Sequence, residues 1–106
     1  MDSQLKKGLL EYSVLATLVK ADSYGYQIIK DSPPVLALTQ STLYPILKRL
    51  NEGNRVTTYT QIHNGRERKY YHLTEAGRAS LQQFVADWQD VEAAFEPIRR
   101  SIHEEK

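Results

Sequence analysis

A short basic segment in the second half of the chain carries the side chains best suited to bind an anion. Arg66, Arg68 and Lys69 follow directly after Asn64 and Gly65, a dipeptide that favours the tight turn of a β-hairpin. Cations at the tip and on the second arm of a hairpin can hold phosphate oxygens, and a tip arginine can enter a narrow groove. Side chains alternate along a strand, so Arg68 and Lys69 are expected on opposite faces, and Arg66 is expected to contribute most.

A second group of polar side chains lies on a helix predicted over residues 39–50. Leucine and isoleucine recur there at the spacing of one buried helical face. The exposed side carries hydrogen-bonding and cationic side chains: Gln40, Ser41, Thr42, Tyr44, Lys48 and Arg49. Side chains of these types can contact base edges and phosphates. Taken alone, however, the helix is more typical of an ordinary amphipathic helix with a solvated face.

Charge is unevenly distributed along the 106 residues, although the net charge is only +1. Residues 39–71 carry six cations and two acids, whereas residues 74–106 carry four cations and seven acids. The middle third is therefore the expected surface for a polyanion, and the acidic last third needs another role.

The remaining residues offer no arrangement for catalysis or for a metal. The chain has no cysteine, which excludes disulfides, thiolate metal sites and thiol nucleophiles. His63, His72 and His103 lack ligands at metal-binding spacing, and no catalytic triad or phosphate-binding loop is present. No apolar run is long enough to span a bilayer, and no signal peptide is recognisable. We therefore expect a cytoplasmic protein that is not an enzyme, binds no cofactor and does not insert into membranes.

Hydrophobic periodicity predicts the elements that position these residues. Helices are expected over residues 4–20, 24–30 and 39–50, the last with Thr39 or Ser41 as its N-cap. Strands are expected over 55–62 and 67–73, followed by a long helix with Thr74 as its N-cap. Ser23 is the expected N-cap of the second helix, and Gly53 is expected just after the third. Gly25, within the second helix, predicts close approach by a neighbouring helix. This order predicts a mainly α (α+β) winged helix-turn-helix, with a DNA-binding domain over residues 1–73 and a dimerisation helix over residues 74–106.

The last helix carries a narrow apolar seam at heptad spacing, which is typical of paired helices. Its members are Leu81, Phe84, Trp88, Val91, Phe95 and Ile98. We expect a homodimer held by two such helices. Pro97 predicts a kink or fraying near residues 94–98.

Three segments resemble signature segments of PadR-type transcriptional regulators. They are Tyr-Gly-Tyr-Gln-Ile at 24–28, Ser-Thr-Leu-Tyr-Pro-Ile-Leu-Lys-Arg-Leu at 41–50 and Gly-Arg-Glu-Arg-Lys-Tyr-Tyr-His-Leu-Thr at 65–74. The resemblance implies a homodimeric winged-helix repressor of the short subfamily, which has a single C-terminal dimerisation helix. A two-fold dimer implies a palindromic operator in double-stranded DNA. Asn54 and Arg55 depart from the family pattern, which tends to be apolar there.

Drug-sensing members of that subfamily stack planar ligands on a tryptophan of this helix, and Trp88 matches its position. The resemblance implies a small aromatic, cationic ligand between subunits, whose binding releases DNA. The expected lining residues are Leu5, Leu9, Glu11, Tyr12, Trp88, Glu92 and Phe95. Two alternatives stay open, because Trp88 is also a suitable interface filler and the bulky Tyr12 can itself fill the space.

Two hypotheses of function therefore differ in the partner that they name. The favoured one is a sequence-specific DNA-binding repressor. The alternative is a winged-helix protein-interaction module without a ligand, regulated by a protein partner such as a membrane protein. Salt-sensitive binding to duplex DNA distinguishes them.

Overall fold

The computed structural model describes residues 1–103. These residues form α1 (Ser3–Thr17), β1 (Ser23–Tyr24), α2 (Gly25–Asp31), a 3-10 turn (Pro34–Leu36), α3 (Gln40–Glu52), β2 (Val56–His63), β3 (Arg66–Leu73) and α4 (Glu75–His103). The predicted winged helix-turn-helix of α+β class is confirmed: α2 and α3 precede the β2–β3 hairpin, and a long helix follows it.

The core lies between α1, α2, α3 and the inner face of the sheet. Helix α1 contributes Leu10, Val14 and Leu15 to it, and the residue after the helix contributes Leu18; all are at most 7% exposed. On the other side of α1, Leu9 and Tyr12 are only partly buried and pack at the edge of the core. Helix α1 therefore has two apolar sides, one in the core and one at its edge. The helix ends at Thr17, three residues earlier than predicted, because Leu18 forms its C-cap.

The sheet contains a short strand that the sequence analysis missed. Its order is β1-β3-β2, with Ser23 paired to Tyr71 and Tyr24 to Tyr70. The prediction of Ser23 as N-cap of α2 is wrong, since its main chain is part of the sheet and Tyr24 takes the cap position. Pairing with β3 therefore determines the conformation of Ser23.

The hairpin turn has the predicted tight geometry. Asn64 and Gly65 have φ angles of 52° and 78°, and His63 pairs with Arg66 across them. Left-handed backbone at both central residues is typical of a two-residue turn whose twist matches that of the flanking strands. The turn projects the tip of the hairpin away from the core.

In the connection from α3 to β2, the residue in the left-handed conformation is not the predicted Gly53. Gly53 is the C-cap of α3 with a φ of −85°, and the left-handed conformation falls on Asn54, whose φ is 59°. The Arg55 amide then donates to the Leu50 carbonyl at 2.9 Å. Asparagine tolerates this conformation better than most residues, so the glycine is not required there.

The long helix α4 begins on this connection. Thr74 Oγ1 accepts a hydrogen bond from the Gly77 amide at 3.0 Å and donates one to the Asn54 carbonyl at 2.8 Å. Thr74 is thus the N-cap, as predicted. The α-helical conformation continues through Pro97 to His103. Of the kink or fraying predicted near residues 94–98, the fraying is therefore wrong. Within residues 1–103, no helix has both the length and the apolar character needed to cross a bilayer.

Candidate nucleic-acid interface

The exposed side of α3 carries the side chains that the sequence assigned to base contact. Four aliphatic residues of α3 are buried in the core: Leu43, Ile46, Leu47 and Leu50. The polar residues named above are all exposed: Gln40, Ser41, Thr42, Tyr44 and Lys48. At the start of the helix, the Thr39 hydroxyl lies 3.1 Å from the Ser41 hydroxyl and 3.2 Å from the Thr42 hydroxyl. These hydroxyls form a hydrogen-bonding group at the N-terminal end of α3.

Tyr44 is held against the start of α2. A Cβ atom at Gly25 would lie 3.0 Å from the Tyr44 hydroxyl oxygen and 3.8 Å from Leu43. The predicted close approach of a neighbouring helix at Gly25 is therefore confirmed. The contact sets the position of the Tyr44 ring, which remains half exposed beside the polar face of α3.

The wing divides its cations between its two faces, as alternation predicts. On the outer face, the Arg68 guanidinium lies 4.0 Å from the centre of the Tyr24 ring, a cation–π contact. Beneath it, Tyr70 stacks on Tyr59 with ring centres 5.5 Å apart. On the inner face, the Lys69 ammonium lies 5.8 Å from the ring centre of the buried Tyr71. Arg68 is thus held over Tyr24, and Lys69 lies near Tyr71 on the other face of the strand.

The inner face of the wing brings Lys69 to α3. Lys69 lines a surface depression together with Tyr44, Lys48 and Asn51 of α3. A neighbouring depression is lined by Glu67, Arg68 and Lys69 of the wing, by Tyr44 and by the start of α2, including Tyr26. Asn64, Gly65 and Arg66 lie exposed at the wing tip. Lys69, which was expected to contribute less than Arg66, therefore lies beside the polar face of α3, and so does Arg68.

Sequence reasoning missed Tyr26 as part of this surface. Its side chain is 65% exposed at the start of α2 and lines the depression that Tyr44 and Lys69 share. The signal was Gly25, which already indicated that α3 passes over this end of α2.

A polar cluster fixes the base of the wing. Tyr59 donates a hydrogen bond to Asp22 at 2.7 Å, and His72 Nδ1 lies 2.7 Å from the other carboxylate oxygen. Burial by itself would raise the pKa of Asp22, but the hydrogen bonds from Tyr59 and His72, with the charge of His72, hold it below its usual value. The same hydrogen bond raises the pKa of Tyr59. The cluster ties the segment before β1 to both long strands.

The residues predicted to bind a ligand are only partly brought together. Tyr12 of α1 stacks on Phe84 with ring centres 4.0 Å apart, and Phe84 lies 5.6 Å from Trp88. Leu9 and Tyr12 line an apolar groove with Leu81 and Phe84. Glu11 points elsewhere, since its carboxylate lies 3.5 Å from the Arg55 guanidinium. Leu5, Glu92 and Phe95 are exposed on the protomer.

The second half of the α4 seam is uncovered. The exposed fractions are 46% for Val91, 51% for Phe95 and 61% for Ile98. Leu81, Phe84 and Trp88, nearer the start of the helix, are partly buried. An apolar stripe thus continues from the α1–α4 contact along the rest of the helix.

The model of the transcriptional regulator PadR-like family matches residues 14–83 of the chain. The chain belongs to this family. The match runs from the core face of α1 through α3 and the wing into the first turns of α4. The PadR-like resemblance of the three sequence segments is thereby confirmed.

Three solved structures are similar to this PadR-like chain. The smu.1704 protein of Streptococcus mutans is 41% identical, with a TM-score of 0.74 over 87% of both chains. A PadR-like transcription factor from Bacteroides fragilis is 32% identical, with a TM-score of 0.76 over 91% of this chain and 95% of the other. Bacillus subtilis PadR, solved with operator DNA, is 30% identical, with a TM-score of 0.66 over 73% of this chain and 46% of its own.

Family membership and fold together define the class of protein. The chain is a DNA-binding transcriptional regulator with a winged-helix fold, and it is not an enzyme. The surface formed by α3 and the wing carries polar and cationic side chains of the types that contact DNA in proteins.

Proposed function

We propose that this PadR-like regulator is a repressor that binds a palindromic operator as a homodimer. The observation that carries the proposal is the depression in which Lys69 of the wing meets Tyr44 and Lys48 of α3. Base-reading side chains and phosphate-binding cations then face one duplex from adjoining elements.

Each element has a distinct part in this proposal. Ser41 and Thr42, at the start of α3, contact base edges in the major groove. Lys48 and Lys69 bind phosphates beside that groove. Arg66, at the tip of the exposed hairpin, reaches the adjacent backbone or minor groove. The other proposed contacts come from the same two elements: Gln40, Tyr44, Asn64, Gly65 and Arg68.

The dimer forms through α4 in this proposal, with residues 1–73 as the DNA-binding unit and α4 as the dimerisation helix; residues 104–106 of the range predicted for that helix lie outside the described residues. Support comes from the heptad spacing of the seam and from the exposure of Val91, Phe95 and Ile98. A second copy of the chain offers the same stripe, so a two-fold pairing covers both at once. Two α3 helices related in this way fit inverted half-sites about one helical turn apart.

Two substitutions separate phosphate contact from base contact. Arg66→Ala is expected to weaken binding to every duplex and to reduce the slope of log affinity against log salt by about one per protomer. Thr42→Ala is expected to change the preference among sequences, by about 1–3 kcal/mol at one base pair. Fluorescence anisotropy over a salt series, with duplexes recovered by in vitro selection and single-base variants of them, measures both.

The control and the contrary outcomes are clear. Gln61→Ala, at an exposed neutral position of β2, is expected to leave both quantities unchanged. Equal, sequence-independent losses for Arg66→Ala and Thr42→Ala would contradict the role of α3. A wild-type protein without salt-dependent duplex binding would favour the alternative, a protein-interaction module.

The aromatic row at the base of α4 favours a ligand that controls this repressor. The ring centres of Tyr12 and Phe84 are 4.0 Å apart, and those of Phe84 and Trp88 are 5.6 Å apart. Trp88 is the member of this row farthest from α1. A planar aromatic ring can extend the row by stacking on Trp88. Phe95 lies two helical turns further along α4. Glu92 supplies an exposed carboxylate that favours a cation. Glu11 contributes less to this site, because Arg55 already neutralises it.

A planar cationic dye is expected to quench Trp88 fluorescence with saturation in the micromolar range. Trp88 is the only tryptophan of the chain, so the signal reports this position directly. A neutral dye of similar shape serves as the control and is expected to bind more weakly. Unchanged fluorescence, or quenching that rises linearly without saturation, would rule out the ligand site.

A further inference from the structure

A second cluster of cations lies beside α3, away from the wing. Lys6 and Lys7 of α1 and Arg49 of α3 line one surface cavity of about 400 Å³. Thr42 lines the same cavity, and its floor is apolar, formed by side chains such as Leu10 and Ile46. Two helices that are distant in sequence thus bring three positive charges together.

Helix geometry explains why these lysines reach α3. Lys6 lies one turn before Leu10, which is buried in the core, so Lys6 continues the core-facing stripe of α1 beyond the edge of the core. Lys7 is its neighbour on the exposed side. The alkyl part of a lysine can cover apolar surface while its ammonium stays in water. The start of α1 therefore presents both ammonium groups next to α3.

The charge of the cluster is not balanced within the part of the chain that the structure describes. In residues 1–103, no carboxylate lines the cavity, and no ion pair involves any of its three cations. The acids close in sequence are Asp2, Glu11 and Glu52. Asp2 accepts hydrogen bonds from the amides of Gln4 and Leu5 as the cap of α1, Glu11 pairs with Arg55, and Glu52 does not line the cavity. By contrast, Arg55 and Arg99 each have a carboxylate partner. An uncompensated cluster of cations attracts a polyanion.

The position of the cluster relative to the wing points to the ligand. Gln40 and Tyr44 of α3 line the depression shared with the wing, whereas Thr42 and Arg49 line the cavity shared with α1. Residues seven apart, such as Thr42 and Arg49, share one side of a helix. Ser41 and Lys48 lie between these two sides. The outward face of α3 is therefore flanked by basic groups on both sides.

We infer that Lys6, Lys7 and Arg49 form a second phosphate-binding site, which holds the DNA backbone on the side of α3 opposite the wing. A helix in the major groove lies between two phosphate backbones, because the groove is only about as wide as the helix. The wing contacts one backbone, and the α1–α3 cluster contacts the other. The inference rests on the proposed role of α3 in the major groove, and it adds α1 to the DNA-binding surface.

The double substitution Lys6→Ala/Lys7→Ala tests this site. It is expected to reduce the slope of log affinity against log salt by about 1.8 per protomer, since each lost phosphate contact contributes about 0.9. The ranking of base sequences stays the same, because phosphate contacts carry no sequence information. The measurement is fluorescence anisotropy with a duplex recovered by in vitro selection on the wild-type protein.

The matched control is Lys20→Ala/Lys30→Ala, which removes the same charge from exposed positions that do not line the cavity. Phosphate ethylation interference then locates the lost contacts. Lys6→Ala/Lys7→Ala is expected to lose one group of interfering phosphates in each half-site, and Arg66→Ala to lose the other. Thermal unfolding verifies that both double variants are folded.

Each contrary result has a separate meaning. An unchanged salt slope and ethylation pattern in Lys6→Ala/Lys7→Ala, with normal wild-type binding, would overturn the second phosphate site and leave the proposed repressor intact. An equal loss in the control pair would assign the effect to net charge and also overturn the site. Failure of the wild-type protein to bind any duplex in a salt-dependent way would overturn both proposals.

Discussion

Replacing Gly77 with alanine is expected to lower the free energy of unfolding by about 3 kcal/mol. A Cβ atom at this position would overlap the main-chain carbonyl oxygen of Arg55 and lie 2.7 Å from Leu73 Cδ1. A flexible side chain could rotate away from the added methyl group, but a main-chain carbonyl cannot. The start of α4 must therefore move away from the α3–β2 connection.

That movement acts on several hydrogen bonds at once. The Thr74 amide donates to the Arg55 carbonyl at 3.1 Å, and the Thr74 hydroxyl bridges the Gly77 amide and the Asn54 carbonyl. The end of α3, the end of the wing and the start of α4 meet at this point. A displaced α4 loses these bonds together, so the cost exceeds that of a simple surface glycine.

Urea unfolding at one fixed protein concentration measures the effect, because the stability of a dimer depends on concentration. Gly8→Ala is the matched control: Gly8 lies within α1, and a Cβ there would meet no atom within 4 Å. It is expected to stabilise the protein by about 0.5–1 kcal/mol, since alanine favours a helix more than glycine does. Equal shifts for the two variants would contradict the close packing at Gly77.

The features that local sequence could predict are those determined by neighbouring residues. The Asn64-Gly65 turn follows from the ability of both residues to adopt positive φ, and the buried side of α3 follows from helical spacing. Strand β1 could not be predicted in the same way, because Ser23 pairs with Tyr71 and nothing in its own neighbourhood indicates a sheet. The Asp22 cluster joins residues 37 and 50 positions apart for the same reason.

In the candidate site, too, contacts between residues distant in sequence could not be predicted. The polar residues of α3 were predicted from one helix, and they are exposed as expected. Lys6 and Lys7 were overlooked because the charges of residues 1–38 cancel in a sum over sequence. Their proximity to Arg49 arises only in the folded chain, where α1 and α3 line one cavity. A charge count along the chain therefore underestimates the positive charge of a surface to which several elements contribute.

The dimer seam is expected to give the largest effect on operator binding. Val91→Glu places a carboxylate in the apolar stripe of α4, and in a two-fold pairing the same charge faces it from the other copy. Val91 is 46% exposed in the protomer, so the protomer is expected to fold normally. We expect the dimer to dissociate and the affinity for an operator with two half-sites to fall at least about 100-fold, because two linked contacts become separate ones.

The matched control is Ala93→Glu, which adds the same charge at an exposed position of α4 outside the heptad seam. Sedimentation velocity measures the oligomeric state, and anisotropy with one-half-site and two-half-site duplexes measures affinity. The Val91→Glu variant is expected to bind a single half-site as the wild-type protomer does, since α3 and the wing are untouched. Val91→Glu is therefore expected to lose only the extra affinity that the second half-site provides, whereas Ala93→Glu is expected to retain that extra affinity. A Val91→Glu protein that stays dimeric with full operator affinity would show that the subunits pair through another surface.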